Sequence, residues 1–220
     1  MSDLVLVIAN KAYSSWSMRP WLALKMAEAP FEEIVIPLRQ ETTAAAIAGH
    51  SPAGKVPVLH HGTTTVWDSL AILEYLAEHL PFAGLWPADR QARAVARAVS
   101  AEMHSGFGAL RSNMPMNVRA TLHGRGRAAG VDADIARIGA LWTDCRARFG
   151  DGGPFLFGRF CNADAMYAPV ATRFRTYGIE AELDDAGRAY VATLLELPPV
   201  REWYAAAHAE PWVIADYEAA

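Results

Sequence analysis

Two short stretches carry residue types that could hold a ligand. In Val56-Pro57-Val58-Leu59-His60 a proline stands near the start of a β-branched apolar run. Proline gives no N–H to a sheet ladder, so inside a strand it belongs at an edge, a bulge or a cis bond. A cis Val56–Pro57 bond beside a cleft would leave backbone N–H and C=O free to pair with an extended peptide. Further along, Asp68-Ser69 precedes Leu70, Leu73, Leu76 and Ala77, whose spacing predicts a helix. The first N–H groups of a helix lack partners within it and carry partial positive charge, which suits a carboxylate. Together the two stretches could grip a short peptide by its backbone at one end and its carboxylate at the other.

The elements that must position them follow from apolar patterning. Val56 to His60, a turn at His61-Gly62-Thr63, then Thr64 to Trp67 read as a hairpin that feeds the helix opened by Asp68. Upstream, Leu4 to Ile8 is a continuous apolar run, as in a strand buried on both faces. A polar loop follows from Asn10 to Ser17, then a helix from Trp16 to Ala29. Phe31 to Leu38 reads as a strand with Ile34 and Ile36 inward, and Gln40 to Ala48 as a short helix. Residues 1–80 therefore read β-α-β-α-β-β-α, a small mixed sheet with helices on its faces. Leu80 to Asp89, with two prolines and a glycine, reads as a linker over 81–89. From 90 to 220 only helical patterns remain. Asp89 caps one long helix through Leu110 to Met114, and others span Asp132–Phe149, Asn162–Tyr177 despite Pro169, Asp184–Glu196 and Pro199–Ala209.

Composition narrows the classes. The 220 residues are 52% hydrophobic and 20% charged, as in ordinary globular chains. A net charge of -4 argues against nucleic acid as the main partner. Cys145 and Cys161 make neither a disulfide framework nor a metal-ligand pattern, so no metal is expected and a reducing compartment is the default. The opening MSDLVLVIANKAYSS has no basic leader and reads as a strand. No apolar run reaches membrane-spanning length, and neither GxGxxG nor GxxxxGK[ST] occurs.

Three segments resemble the glutathione transferase superfamily in order and spacing. GKVPVL…DSLAILEYL is similar to its glutathione-binding half, PFLFGRFCNADAMYAPV to its helical-domain signature, and NKAYSSWSMRPWL to the Ser-Ser-x-Ser-x-Arg loop of the zeta class and its bacterial relatives. The resemblance implies an α/β thioredoxin-like domain followed by an all-α domain, in a cytoplasmic homodimer engaged in detoxification. It implies glutathione as co-substrate, without a metal, and a small hydrophobic or acidic electrophile. A cis-proline at Pro57 and a γ-glutamyl carboxylate site at Asp68 and Ser69 come with it, flanked by Lys55, Val56 and Gln40, with Arg39 beside Gln40. One departure is Cys161, where the family has Ser or Thr capping a buried helix. Cysteine is a weak acceptor, so Cys161→Ser is expected to raise stability.

The same resemblance sets the chemistry. A free thiol has a pKa of about 8.5 and needs help to ionise. A hydroxyl hydrogen bond and a helix N-terminus favour the thiolate. Ser14 aligns with the catalytic serine of the zeta class, and Ser15 and Ser17 are neighbours that could substitute for it; serines before a helix also simply cap it. Ser14-x-x-Ser17 stands where thioredoxins carry two cysteines, so this loop cannot exchange disulfides itself. Arg19 reads as support for the loop or as a surface arginine. The electrophile pocket is expected against the first long helix, from Met103, His104, Phe107, Arg111 and Met114, with Trp16 and Met18 from the loop and Tyr167 from the buried helix. Arg173 and Arg175 lie near where zeta-class isomerases hold an acidic substrate. His60 and His61 read as plain hairpin residues. The alternatives to a transferase are a glutathione-dependent isomerase of the maleylacetoacetate type, a peroxidase or dehalogenase, and a non-enzymatic binding module.

Overall fold

A computed structural model describes residues 3–218. Residues 1, 2, 219 and 220, which fall at the ends of the spans read from the sequence, lie outside it. Strand β1 (Leu4–Ala9) leads into helix α1 (Ser15–Met26), then β2 (Glu32–Ile36), α2 (Thr43–Ala48), β3 (Val58–His61), β4 (Thr64–Trp67) and α3 (Ser69–His79). The sheet order is β2-β1-β3-β4. β1 runs parallel to β2 and antiparallel to β3, and the β3–β4 hairpin pairs Val58 with Trp67 and His61 with Thr64. This is the thioredoxin-like arrangement expected from the β-α-β-α-β-β-α order.

After a 3-10 turn at Pro81–Ala83 the described chain is helical: α4 (Arg90–Ser105), α5 (Gly108–Asn113), α6 (Val131–Phe149), α7 (Asn162–Tyr177), α8 (Asp185–Glu196), α9 (Pro198–Ala209) and α10 (Ala215–Glu218), with a second 3-10 turn at Ile179–Glu182. Helix α7 is the axle. Trp142, Phe174, Tyr190 and Tyr167 pack at its flank, and α1 of the first half packs on it too. One apolar cluster thus joins Leu6, Met18 and Leu22 to Met103, Met166 and Phe174. A second, small cluster of Val7, Ile36, Ile47 and Val58 lies where α2 covers the sheet's other face.

Three local readings need correction. The long helix expected to run from Asp89 to Met114 breaks after Ser105. A Cβ on Gly106 would stand 2.7 Å from the Glu102 carbonyl, and Phe107 takes φ 55°, so the chain turns before α5 begins. In β2, Ile36 is buried but Ile34 is 36% exposed. Glu33, itself exposed, takes the Trp21 Nε1–H at 2.6 Å and Lys11 Nζ at 2.5 Å. Helix α1 begins at Ser15 and ends at Met26, earlier at both ends than the periodicity implied.

Candidate active site

A cleft of about 750 Å³ opens between the β3–α3 region, the start of α1 and the end of α4. Ser14, Trp16, Lys55, Val56, Pro57, Asp68, Ser69 and His104 lie on its walls. The Val56–Pro57 bond is cis. A cavity of about 380 Å³ between Trp86, Phe149, Phe157 and Phe160 carries none of the serines.

The three loop serines part company. Ser14 is the N-cap of α1, its Oγ accepting from Ser17 N at 3.3 Å and lying 2.8 Å from Ser17 Oγ, and it lines the cleft. Ser17 is fully buried, and its Oγ also accepts the Ala9 N–H at 3.0 Å, which ties helix to strand. The Ser15 hydroxyl points toward α7 and accepts from Arg173 Nη2 at 3.2 Å.

At the α3 tip the helix start is already capped from within. Asp68 holds φ 74°, sparse territory for a residue with a Cβ. Its Oδ1 accepts from Leu70 N at 2.9 Å and Ala71 N at 3.4 Å, and its Oδ2 faces His104 Nε2 at 3.2 Å. Asp68 thus holds first-turn N–H groups that the sequence reading left for a ligand. The neighbouring Ser69 side chain is different: the residue is 1% exposed, and its Oγ has no partner among the described residues. Burying a hydroxyl without a hydrogen bond costs free energy, which makes an idle one in a cleft-lining residue a candidate ligand contact. Lys55 adds a cation to the same wall.

Trp16 and His104, named from sequence as electrophile contacts, meet edge to face with centroids 5.2 Å apart on the cleft wall. Other members of that set need correction. Met18, Met103 and Tyr167 are wholly buried in the core, and the Tyr167 hydroxyl bonds to Val99 O at 3.1 Å. Met114 is buried as well, its carbonyl accepting from Arg173 Nε. Phe107 is 7% exposed and begins α5. Gln40 is turned onto its own loop, Nε2 donating to Leu38 O at 3.3 Å. Arg175 pairs with Glu180 on the surface. His60 and His61 bond within the hairpin region, to Thr65 and Tyr75.

Behind Trp16 stand three cations. Arg19 is wholly buried, its guanidinium 4.4 Å from the Trp16 ring centre, and none of its three guanidinium nitrogens has a hydrogen-bond partner among the described residues. Burial first, then Arg173 and Arg111, lower its pKa to about 9. Arg173 is lowered to about 10 by burial and then by Arg111. Arg111 lies 5.2 Å from the Trp16 ring and donates to His104 O. Trp67, Leu38, Ile47, Ala53 and Gly54 complete the cleft and were not read from the sequence as site residues. Trp67 is half-exposed at the end of an edge strand, and its place directly before Asp68 was the available signal.

A thioredoxin-like sheet joined to a helical bundle, with a serine and a cis-proline on one cleft, defines a glutathione-transferase-like protein. Residues 13–79 match the family described as glutathione S-transferase, N-terminal domain. Among curated proteins, a probable maleylacetoacetate isomerase of Caenorhabditis elegans is 38% identical over 93 residues, 42% of either chain. The maleylpyruvate isomerase of a Ralstonia species is 33% identical over 96 residues, 41% of this chain and 45% of that one. The chain therefore spans less than half the length of the curated relatives it matches. Among solved structures, a glutathione transferase homologue from Burkholderia with bound glutathione superposes with TM-score 0.70 at 22% identity, covering 96% of this chain and all (100%) of that one. The tau-class enzyme of mango, Mangifera indica, gives TM-score 0.70 at 19% identity, over 94% and 96%. Residues 13–79 thus carry the likeness to the glutathione S-transferase N-terminal domain, and the chain as a whole has the glutathione transferase fold.

Proposed function

We propose that the protein is a glutathione transferase that holds glutathione in this cleft and uses Ser14 to keep its sulfur ionised. One observation carries the reading: the Ser14 hydroxyl lies on the same cleft as Val56–Pro57 and the idle Ser69 hydroxyl. The γ-glutamyl carboxylate bonds Ser69 near Lys55, the peptide runs past Val56, and the sulfur comes to Ser14. Hydroxyl hydrogens rotate to suit their partners. With Ala9 N–H donating to Ser17 Oγ, the Ser17 hydroxyl donates to Ser14 Oγ, and the Ser14 hydroxyl donates to sulfur. A chain of bonds polarised in one direction strengthens its last member. The thiol proton leaves to solvent; the thiolate attacks an electrophilic carbon beside Trp16 and His104, a carbon–sulfur bond forms, and the leaving group departs as an anion.

A second reading is supported by the arginines behind Trp16. A glutathione-dependent isomerase of an acidic substrate would use Arg111, Arg173 and the unpartnered Arg19 to balance carboxylate charge. Relatives named maleylacetoacetate and maleylpyruvate isomerase support it. The assembly that accompanies either reading is a cytoplasmic homodimer, with a glutathione-holding unit at 1–80 and an electrophile-holding unit at 90–220.

Retention on immobilised glutathione, together with turnover of a chlorinated dinitroaromatic and of maleylacetoacetate, tests both. Ser14→Ala is expected to keep binding and lose turnover by about a hundredfold, as when one preorganised donor is removed. Full activity in Ser14→Ala with loss in Ser15→Ala or Ser17→Ala would show the wrong serine was chosen. Binding without turnover of either electrophile would favour the non-enzymatic module.

A further inference from the structure

The loop that ends in Ser14 is held from behind by the far end of the chain. The Glu210 carboxylate accepts two successive backbone N–H groups, Lys11 N at 2.7 Å and Ala12 N at 3.1 Å, one on each oxygen. Trp203 Nε1 donates to Lys11 O at 2.8 Å, and Val118 N donates to Ala12 O at 3.2 Å. Tyr13, 3% exposed, is the hub. Its hydroxyl accepts from Arg119 Nη2 and from Ile214 N at 3.3 Å and donates to Glu218 Oε1 at 2.5 Å. Its ring meets Tyr217 edge-on at 5.7 Å. Arg119 also donates to Glu210 O at 3.0 Å and Trp212 O at 2.9 Å, closing the tail onto the loop.

Lys11, Ala12 and Tyr13 are not among the residues lining the cleft, and the Lys11 and Ala12 N–H groups and the Tyr13 hydroxyl converge on this tail. Ser14 follows directly, with its N–H bound to Asn10 O at 2.9 Å. A shift of the loop therefore carries the Ser14 hydroxyl with it, and small misplacements of a reacting group are costly.

We propose that the segment Glu210–Glu218 sets the position of the Ser14 hydroxyl, with Glu210 and Tyr13 as the positioning residues; this rests on the role given to Ser14 above. A tail that only added stability would change the melting temperature and nothing else. A tail that aims Ser14 changes the acidity of the bound thiol.

The test uses the full chain carrying Tyr13→Phe, Glu210→Gln or Glu210→Ala. The measurements are glutathione affinity, Tm, kcat, and thiolate absorbance of bound glutathione against pH. Tyr13→Phe removes one hydroxyl and keeps the ring. It is expected to bind glutathione within about twofold of wild type, while the thiol pKa rises by about one unit and kcat falls about tenfold. Glu210→Gln, which keeps one acceptor, should fall between wild type and Glu210→Ala. Folded variants with unchanged thiol pKa and kcat would overturn the proposal, even with a lowered Tm. If Glu210→Ala does not fold, Tyr13→Phe decides alone. If Ser14→Ala itself leaves the bound thiol unmoved, the role of Ser14 fails, and with it the proposal. If Ser14→Ala shifts the thiol and the tail variants do not, only the positioning role fails.

Discussion

At the start of α7 the Asp164 carboxylate takes three donors, Leu156 N at 3.1 Å, Cys161 N at 2.8 Å and the Tyr190 hydroxyl at 2.9 Å. At the start of α3 the Ser69 hydroxyl is about as deeply buried and bonds to nothing among the described residues. Both are helix tips with Asp or Ser in the cap region. In one, both oxygens of the Asp164 carboxylate are used within the protein. In the other, a buried atom is left over, in a residue that lines the cleft. Saturated polar groups hold the fold; unsaturated ones on a cleft are there to bind.

The contrast is broken most severely at Asp164. Asp164→Ala leaves three buried donors without an acceptor, which should cost about 3–5 kcal/mol and lower the denaturant midpoint accordingly. A loss under about 1 kcal/mol would mean the site relaxes to admit water, and the saturated cap would not be the anchor described here.

Asp164 also gives the tip a pH dependence. Burial outweighs the donors and raises its pKa from 3.8 to about 6. The folded state then holds the proton more tightly than the unfolded state, so the stability is fully present below pH 3.8 and is lost as pH rises through about 6. The shift corresponds to about 3 kcal/mol. Unfolding free energy measured from pH 3.5 to 7 should show this fall in the wild type and not in Asp164→Asn. Identical profiles would mean that the three donors offset the burial and leave Asp164 at its ordinary pKa.

Ser69 gives the opposite result. Because its hydroxyl is buried and unbonded, Ser69→Ala should leave Tm unchanged or raise it slightly. Glutathione affinity should fall about tenfold, the worth of one hydrogen bond to a charged group. A variant that loses stability and keeps affinity would make Ser69 a structural residue and remove the contrast.

Much of this was legible in the sequence, and the illegible parts share a cause. Period-two and period-3.6 patterns located the strands and the helices, and the proline at 57 and Asp68-Ser69 pointed to the cleft, because these signals are local. Met18, Met103 and Tyr167 were misassigned because helical spacing reports a buried face without saying whether core or cleft covers it. Arg19 in the core ran against the usual exposure of charged residues. The grip of Glu210 on Lys11, 199 residues away, has no local signature at all. The Asp68 cap was half legible: its residue type announced a helix start, but not that its own carboxylate would take the first N–H groups.

The smallest effect sharpens the comparison from the saturated side. Cys161 caps α7 with sulfur, a weak acceptor, while Asp164 returns a strong bond to the Cys161 N–H. Asn162, the other residue able to cap, is engaged elsewhere, its Nδ2 donating to Leu73 O at 3.0 Å. Cys161 is 2% exposed, so a serine there meets no competing water. Its oxygen would accept the Asp164 N–H and its hydroxyl hydrogen would point to the Asp164 carboxylate, completing the reciprocal pair. Cys161→Ser should therefore stabilise the protein by about 1 kcal/mol, read as a raised Tm with glutathione affinity unchanged. The shorter C–O bond opposes this by loosening the packing around a site fitted to sulfur. A lowered Tm would show that packing, not hydrogen bonding, limits this cap.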